Sequence, residues 1–125
     1  MNESGFIQSV HLKLDKSIYR WKISDRYSSG VADAYYSSPL GDLWIEYKFY
    51  PKGLPNRTKP KLSKLQLRWL HNRYDEGRDV YVVVGSPDAC IIYEHLSWTS
   101  YKHAETDSIS RPELVKWIQG KLCTN

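Results

Sequence analysis

No apolar run in this 125-residue chain approaches the roughly 18–20 residues that a membrane-spanning helix requires. The opening Met1-Asn2-Glu3-Ser4-Gly5 lacks the basic start and apolar stretch of a signal peptide, so the expected location is the cytoplasm. Cysteine is scarce. Cys90 and Cys123 lie far apart, form no CxxC pair, and make no zinc-ligand spacing with His11, His71, His95 or His103. Cys90 reads as a buried strand residue and Cys123 as a tail residue, and a reducing cytosol disfavours joining them. Internal repeats and low-complexity tracts are missing. So are a Walker loop, a Rossmann glycine pattern and a nucleophile elbow, which removes the phosphate-loop, dinucleotide and serine-hydrolase chemistries those motifs serve.

What is present suits one soluble globular domain over residues 1–125, with 41% hydrophobic and 26% charged residues and enough length to bury a core without staples. The net charge is +4, a weak pointer to an acidic partner. Its distribution says more, because every charged residue from Lys48 to Arg68 is basic: Lys48, Lys52, Arg57, Lys59, Lys61, Lys64 and Arg68. Phe49, Tyr50, Trp69 and Tyr74 lie in or beside the run. Such a segment can neutralise phosphates and stack on bases, or it can be a solvated basic loop.

Phe6, Ile7, Val10 and Leu14 follow one helix face, predicting a helix over 2–14. Residues 18–24 alternate and are rich in aromatics, as a strand would be. A polar connection, Asp25 to Gly30, follows. Two strands, 31–37 and 42–50, flank the turn Ser38-Pro39-Leu40-Gly41. A Pro-, Lys- and Asn-containing loop then runs to Lys61. Ser63 and Gln66 make a capping box for a helix reaching Glu76, with Gly77 ending it. Residues 79–85 form a β-branched run suited to a strand covered on both faces. A short strand from Cys90 to Glu94 follows, and Ser110 with Glu113 caps a last helix over 111–122. Residues 95–109 show no pattern. The order predicts an α/β fold with a mixed sheet.

Alternation places Trp44, Glu46 and Lys48 on one face of their strand, read as open, and Leu43, Ile45, Tyr47 and Phe49 on the core face. With Ser38 opposite Gly41, Asp33 falls opposite Glu46, and directly opposed β-carbons lie about 4.5–5.5 Å apart. Two readings remain open. Either Asp33 pairs with Lys48 across the hairpin, or the opposed carboxylates share a hard divalent cation such as Mg²⁺ or Mn²⁺. The second arrangement suits phosphodiester hydrolysis, with Lys48 orienting or deprotonating water or neutralising developing charge.

Gly30-Val31-Ala32-Asp33, the strand Trp44-Ile45-Glu46-Tyr47-Lys48 and the helix opening Leu62-Ser63-Lys64-Leu65-Gln66-Leu67-Arg68-Trp69 together resemble the PD-(D/E)xK nuclease superfamily. Within it they look most like the small stand-alone VRR-NUC type often found in phages, and Val80-Tyr81-Val82-Val83-Val84 matches its Val-rich strand. The resemblance spans about residues 2–94, leaving 95–125 as a C-terminal extension. It implies a restriction-endonuclease-like αβββαβ core. It implies a divalent-metal-dependent endonuclease acting on branched DNA such as Holliday junctions, assembled as a homodimer or higher homo-oligomer, of a kind phages encode and use inside a host cell. Asp33 and Glu46 would be metal ligands, with the backbone carbonyl of Tyr47 completing the site and Glu3 assisting from the first helix. Lys48 would be the base or charge stabiliser, and Gln66 would support the site, although its capping box explains it equally. Lys52, Arg57, Lys59, Lys61, Lys64 and Arg68 would contact DNA. The family's proline before the aspartate is Ala32 here, and the loop from Pro51 to Lys61 is longer than the minimal pattern.

A site-specific endonuclease of homing or restriction type on the same fold is the alternative, followed by a DNA-binding module without activity. Asp42 reads as a turn residue and His71 as a helix-face residue. Asp25 and Arg26 could touch DNA or form a surface ion pair, and Trp98 and Tyr101 could belong to the core or to a dimer contact.

Overall fold

The computed structural model describes residues 1–24 and 30–123. Asp25, Arg26, Ser28 and Ser29 lie outside the described residues. Helix α1 (Glu3–Lys13) starts where the Asn2 side chain accepts a hydrogen bond from the Gly5 amide at 2.7 Å. It leads into β1 (Tyr19–Lys22), β2 (Ala34–Ser38) and β3 (Gly41–Phe49). The hairpin between β2 and β3 has the expected register: Ser38 pairs with Gly41 and Ala34 with Ile45. Helix α2 (Lys64–Asp75) begins at the Ser63–Gln66 capping box, with both reciprocal bonds formed. Strands β5 (Val80–Gly85) and β6 (Cys90–Tyr93) complete a five-stranded sheet in the order β1-β2-β3-β5-β6. Among the described residues only β3 and β5 run parallel, which makes the sheet mixed. Helix α4 (Arg111–Leu122) closes the described chain.

The sheet is covered on both faces, so β5 is buried along its whole length. On one face Phe6, Ile7 and Val10 of α1 and Leu114 and Ile118 of α4 pack on Leu43, Ile45, Tyr47, Tyr81 and Val83. On the other, Leu70 of α2 and Trp98 pack on Val80, Val82, Val84, Ile91 and Tyr93.

Several expectations need correction. The Trp44–Glu46–Lys48 face is not open: Trp44 packs against Trp69 of α2 with ring centroids 5.2 Å apart, and Glu46 is 2% exposed. An amphipathic helix following a strand must bury its apolar stripe, and this face is where α2 does so. Phe49, Tyr50 and Trp69 are half-buried and pack against the two cores; of the four, only Tyr74 is exposed. Asp42 lies in β3 and accepts a hydrogen bond from the Tyr35 hydroxyl at 2.6 Å. Cys123 is the half-buried C-cap of α4, not a tail residue, and Cys90 is buried; neither forms a disulfide.

Residues 95–109, patternless in sequence, do hold structure. A 3₁₀ turn (Ser97–Thr99) carries Trp98 into the core, and β7 (Lys102–His103) pairs with β4 (Arg57–Thr58) inside the long basic loop. A one-turn helix, α3 (Ala104–Asp107), follows. The Ala104 amide donates to the Asn56 carbonyl at 2.9 Å, the Tyr93 hydroxyl donates to the Thr58 carbonyl, and Lys102 Nζ donates to the Ile92 carbonyl at 3.0 Å. The extension therefore fastens the basic loop to the sheet.

Candidate active site

Asp33 stands immediately before β2, where its carbonyl accepts from the Ile23 amide at 2.7 Å. Continuing the hairpin register by one pair places it opposite Glu46. Its carboxylate Oδ2 accepts from the Tyr47 amide at 2.8 Å. Trp44 and Tyr50 donate their amides toward β5, to the carbonyls of Asp79, just before it, and Gly85. Alternation along a strand therefore turns the Tyr47 amide and carbonyl the other way, toward Asp33. The Asp33 and Glu46 carboxyl groups thus neighbour each other beyond the end of β2, and the Tyr47 carbonyl lies on the same edge of β3.

Two carboxyl groups at a buried position cannot both stay charged unless a cation joins them. Burial, then the Asp33 charge, pushes Glu46 up to about 8, against an ordinary 4.5. Burial also raises Asp33, opposed by the hydrogen bond from the Tyr47 amide. The nearness of the Asp33 carboxylate therefore favours the protonated form of Glu46. Glu46 Oε1 is buried and has no hydrogen-bond partner among the described residues. A buried acceptor without a donor is costly, and a cation would satisfy it.

The other oxygen of Glu46 is crowded. Gln66 Nε2 donates to Oε2 at 3.1 Å, and Lys48 Nζ lies 3.5 Å from it. Lys48 Nζ also donates to Gln66 Oε1 at 3.2 Å, and the same Oε1 accepts from the Ser63 amide at 3.0 Å. Gln66 thus belongs both to the capping box and to the site, and the helix cap fixes its orientation. Lys48 pairs with Glu46 on its own strand, and no ion pair joins it to Asp33 among the described residues. Two polar oxygens and one ammonium on a half-buried floor can hold a divalent cation and present a cation to a phosphate.

Glu3 is exposed at the start of α1. Partial desolvation by its neighbours, then the Asp33 charge, raises its carboxyl, while Lys48 and Lys22 lower it. Glu3 therefore senses the site electrostatically. Among the described residues, no three acidic, histidine or cysteine side chains gather as a metal cage. Lys22 was not singled out from sequence, although Lys22 pairs with Ala34, one residue from Asp33, and the hairpin pattern extended to β1 would have found it. Ala32, in the family's proline position, is fully buried.

Gly30 sets the height of α2 above this site. It has a positive φ of 87°, and a Cβ there would lie 2.5 Å from the Leu65 carbonyl oxygen. All six expected DNA-contact residues, Lys52, Arg57, Lys59, Lys61, Lys64 and Arg68, are exposed. They do not form one patch by sequence order alone. Lys64 and Arg68, four apart, share a stripe of α2. Arg57, Lys59 and Lys61 line a separate cavity with Tyr101.

No protein-family model and no curated protein matches this chain. Among solved structures, the fold is similar to that of Hjc from Archaeoglobus fulgidus, described as a Holliday junction resolvase from an archaeal hyperthermophile. The match has a TM-score of 0.54 and 19% identity, and covers 72% of this chain and 73% of that one. The chain has the α/β, restriction-endonuclease-like fold: a mixed five-stranded sheet flanked by helices.

Proposed function

We propose that this chain is a divalent-metal-dependent endodeoxyribonuclease that cuts branched DNA. The observation that carries the proposal is the buried Asp33–Glu46 pair, which retains an unpartnered oxygen on Glu46 and has Lys48 and Gln66 fastened beside it. The fold shared with a protein described as a Holliday junction resolvase favours branched DNA over other phosphodiesters.

Asp33, Glu46 and the Tyr47 carbonyl would hold Mg²⁺ or Mn²⁺, oxygen ligands suited to a hard cation, with Glu3 at the periphery. A cation there supplies Lewis-acid stabilisation of charge on the attacked phosphate. Lys48 presents its ammonium to the same phosphate or relays a proton from the attacking water. Gln66 holds Lys48 and Glu46 in register through its two ends. Lys52, Arg57, Lys59, Lys61, Lys64 and Arg68 neutralise the DNA backbone. Cutting opposed strands takes two sites, so the working unit is a homodimer.

The test compares a four-way junction with a linear duplex of the same sequence, with and without Mg²⁺. Junction cleavage should require the metal and fall at least about a hundredfold in Asp33→Ala and in Lys48→Ala with the fold intact. Cleavage of one duplex sequence, indifferent to junctions, would replace this proposal with a site-specific endonuclease. Wild-type protein that binds DNA but cuts none would leave a binding module.

A further inference from the structure

The long basic loop and the C-terminal extension enclose a cavity of about 510 Å³ that the catalytic residues do not use. Its floor is apolar, formed by Tyr50, Leu62, Leu67 and the buried Trp98. Its rim is cationic, formed by Arg57, Lys59 and Lys61. Tyr101, half exposed, stands on the same rim, with the Arg57 guanidinium 4.5 Å and Lys59 Nζ 5.0 Å from its ring centroid. The ring therefore holds two cations at the mouth, against their mutual repulsion.

Position connects this cavity to the catalytic residues. Tyr50 lies two residues past Lys48, roughly 7 Å along the strand. Leu67 follows Gln66, and Leu62 precedes the cap residue Ser63. A strand whose phosphate reaches Lys48 thus has its neighbouring nucleotide at the mouth of the cavity. A duplex cannot use an apolar floor, because its bases are paired and stacked. An unpaired nucleotide can: its base suits the aromatic and aliphatic floor, and its flanking phosphates suit the three cations.

Resting on the nuclease proposal above, we infer that this cavity receives one unpaired nucleotide next to the phosphate to be cut, and that this is how the protein selects branched or distorted DNA. Neither half of the device suffices alone. The basic loop contributes the charges, and residues 96–103 contribute the wall that turns a basic loop into a pocket.

The experiment measures binding in EDTA, so that cleavage plays no part. The probes are a short duplex and the same duplex with one unpaired 5-iododeoxyuridine. The wild type should prefer the unpaired probe by about tenfold or more, the scale of one base stacked on aromatic side chains. Irradiation should crosslink the iodinated base to Tyr50, Trp98 or Tyr101. Thr99 is exposed and lines the cavity, so Thr99→Trp fills it without removing a charge, and the preference should fall to about one. Tyr101→Ala, which also keeps every cation, should cut the preference severalfold. Equal affinity of the wild type for both probes, a preference surviving both substitutions, or a crosslink elsewhere overturns the inference and leaves the nuclease proposal standing. Failure to bind either probe overturns both.

Discussion

Glu46 shows how much one residue's surroundings change its chemistry. On an exposed strand a Glu-x-Lys pair is a weak surface contact. Here burial and Asp33 move the Glu46 carboxyl from 4.5 to about 8. In metal-free protein the folded state keeps a proton that the unfolded chain has released throughout that interval. The resulting stability is full below about pH 4.5 and is lost as pH rises through about 8. Melting temperatures in EDTA should therefore fall between about pH 6 and pH 9 in the wild type. Glu46→Gln, which mimics the protonated side chain, should flatten that limb by an amount on the order of 2–4 kcal/mol. Divalent cations compete with the same proton, so their affinity should rise with pH up to about 8, and titration calorimetry would register it. An affinity flat across that range would remove Glu46 from the ligand set. The sequence made Asp33, Glu46 and Lys48 legible because strand alternation and hairpin register are short-range geometry. It could not disclose how far the Glu46 carboxyl is raised, which depends on its burial.

Helix α2 is the element on which the site depends, and its start was readable because a capping box lies within four consecutive residues. Its height over the sheet was not readable, since that depends on the approach of Gly30 to Leu65, 35 positions apart in sequence by their numbering. Gly30→Ala meets both a left-handed φ and a backbone oxygen. It should cost about 1–3 kcal/mol of stability and, by shifting α2, reduce cleavage out of proportion to that loss. Gly77 supplies the control. Its φ is 82°, yet nothing lies within 4 Å of a Cβ there, so Gly77→Ala should incur strain alone and leave the specific activity of folded protein unchanged. Equal activity losses in the two variants would mean that α2 does not position the site through Gly30. Residues 95–109 illustrate the opposite case. Neither β4 nor β7 exceeds two residues, and each exists only because the other pairs with it. No periodicity in either segment could have announced that.

Across the whole molecule, a buried chain of hydrogen bonds ties α1 to the sheet beneath the site. His11 Nε2 lies 2.8 Å from the Tyr36 hydroxyl, which lies 2.6 Å from that of Tyr47. Burial, with Arg20 and Lys22 adding to it, holds His11 at about 4, below its usual 6.5. As pH falls from 6.5 toward 4 the unfolded chain takes up a proton that the folded protein refuses, so stability declines across that window. His11→Gln should be destabilised by a constant amount above pH 6.5 and should recover relative to wild type as pH falls to about 4, measured by denaturant unfolding. No recovery would mean that His11 protonates freely in the folded state. The sequence by itself determined the order of the five sheet strands and the three long helices, the hairpin register, both capping boxes and the basic stretch from Lys48 to Arg68. Each of these is written in contacts between residues close along the chain. The tertiary structure alone decided that Glu46 is buried, that Gln66 serves cap and site together, and that residues 96–103 wall a cavity against the basic loop. These depend on which faces meet when α2 and the extension pack on the sheet, and burial and shape arise only from such meetings.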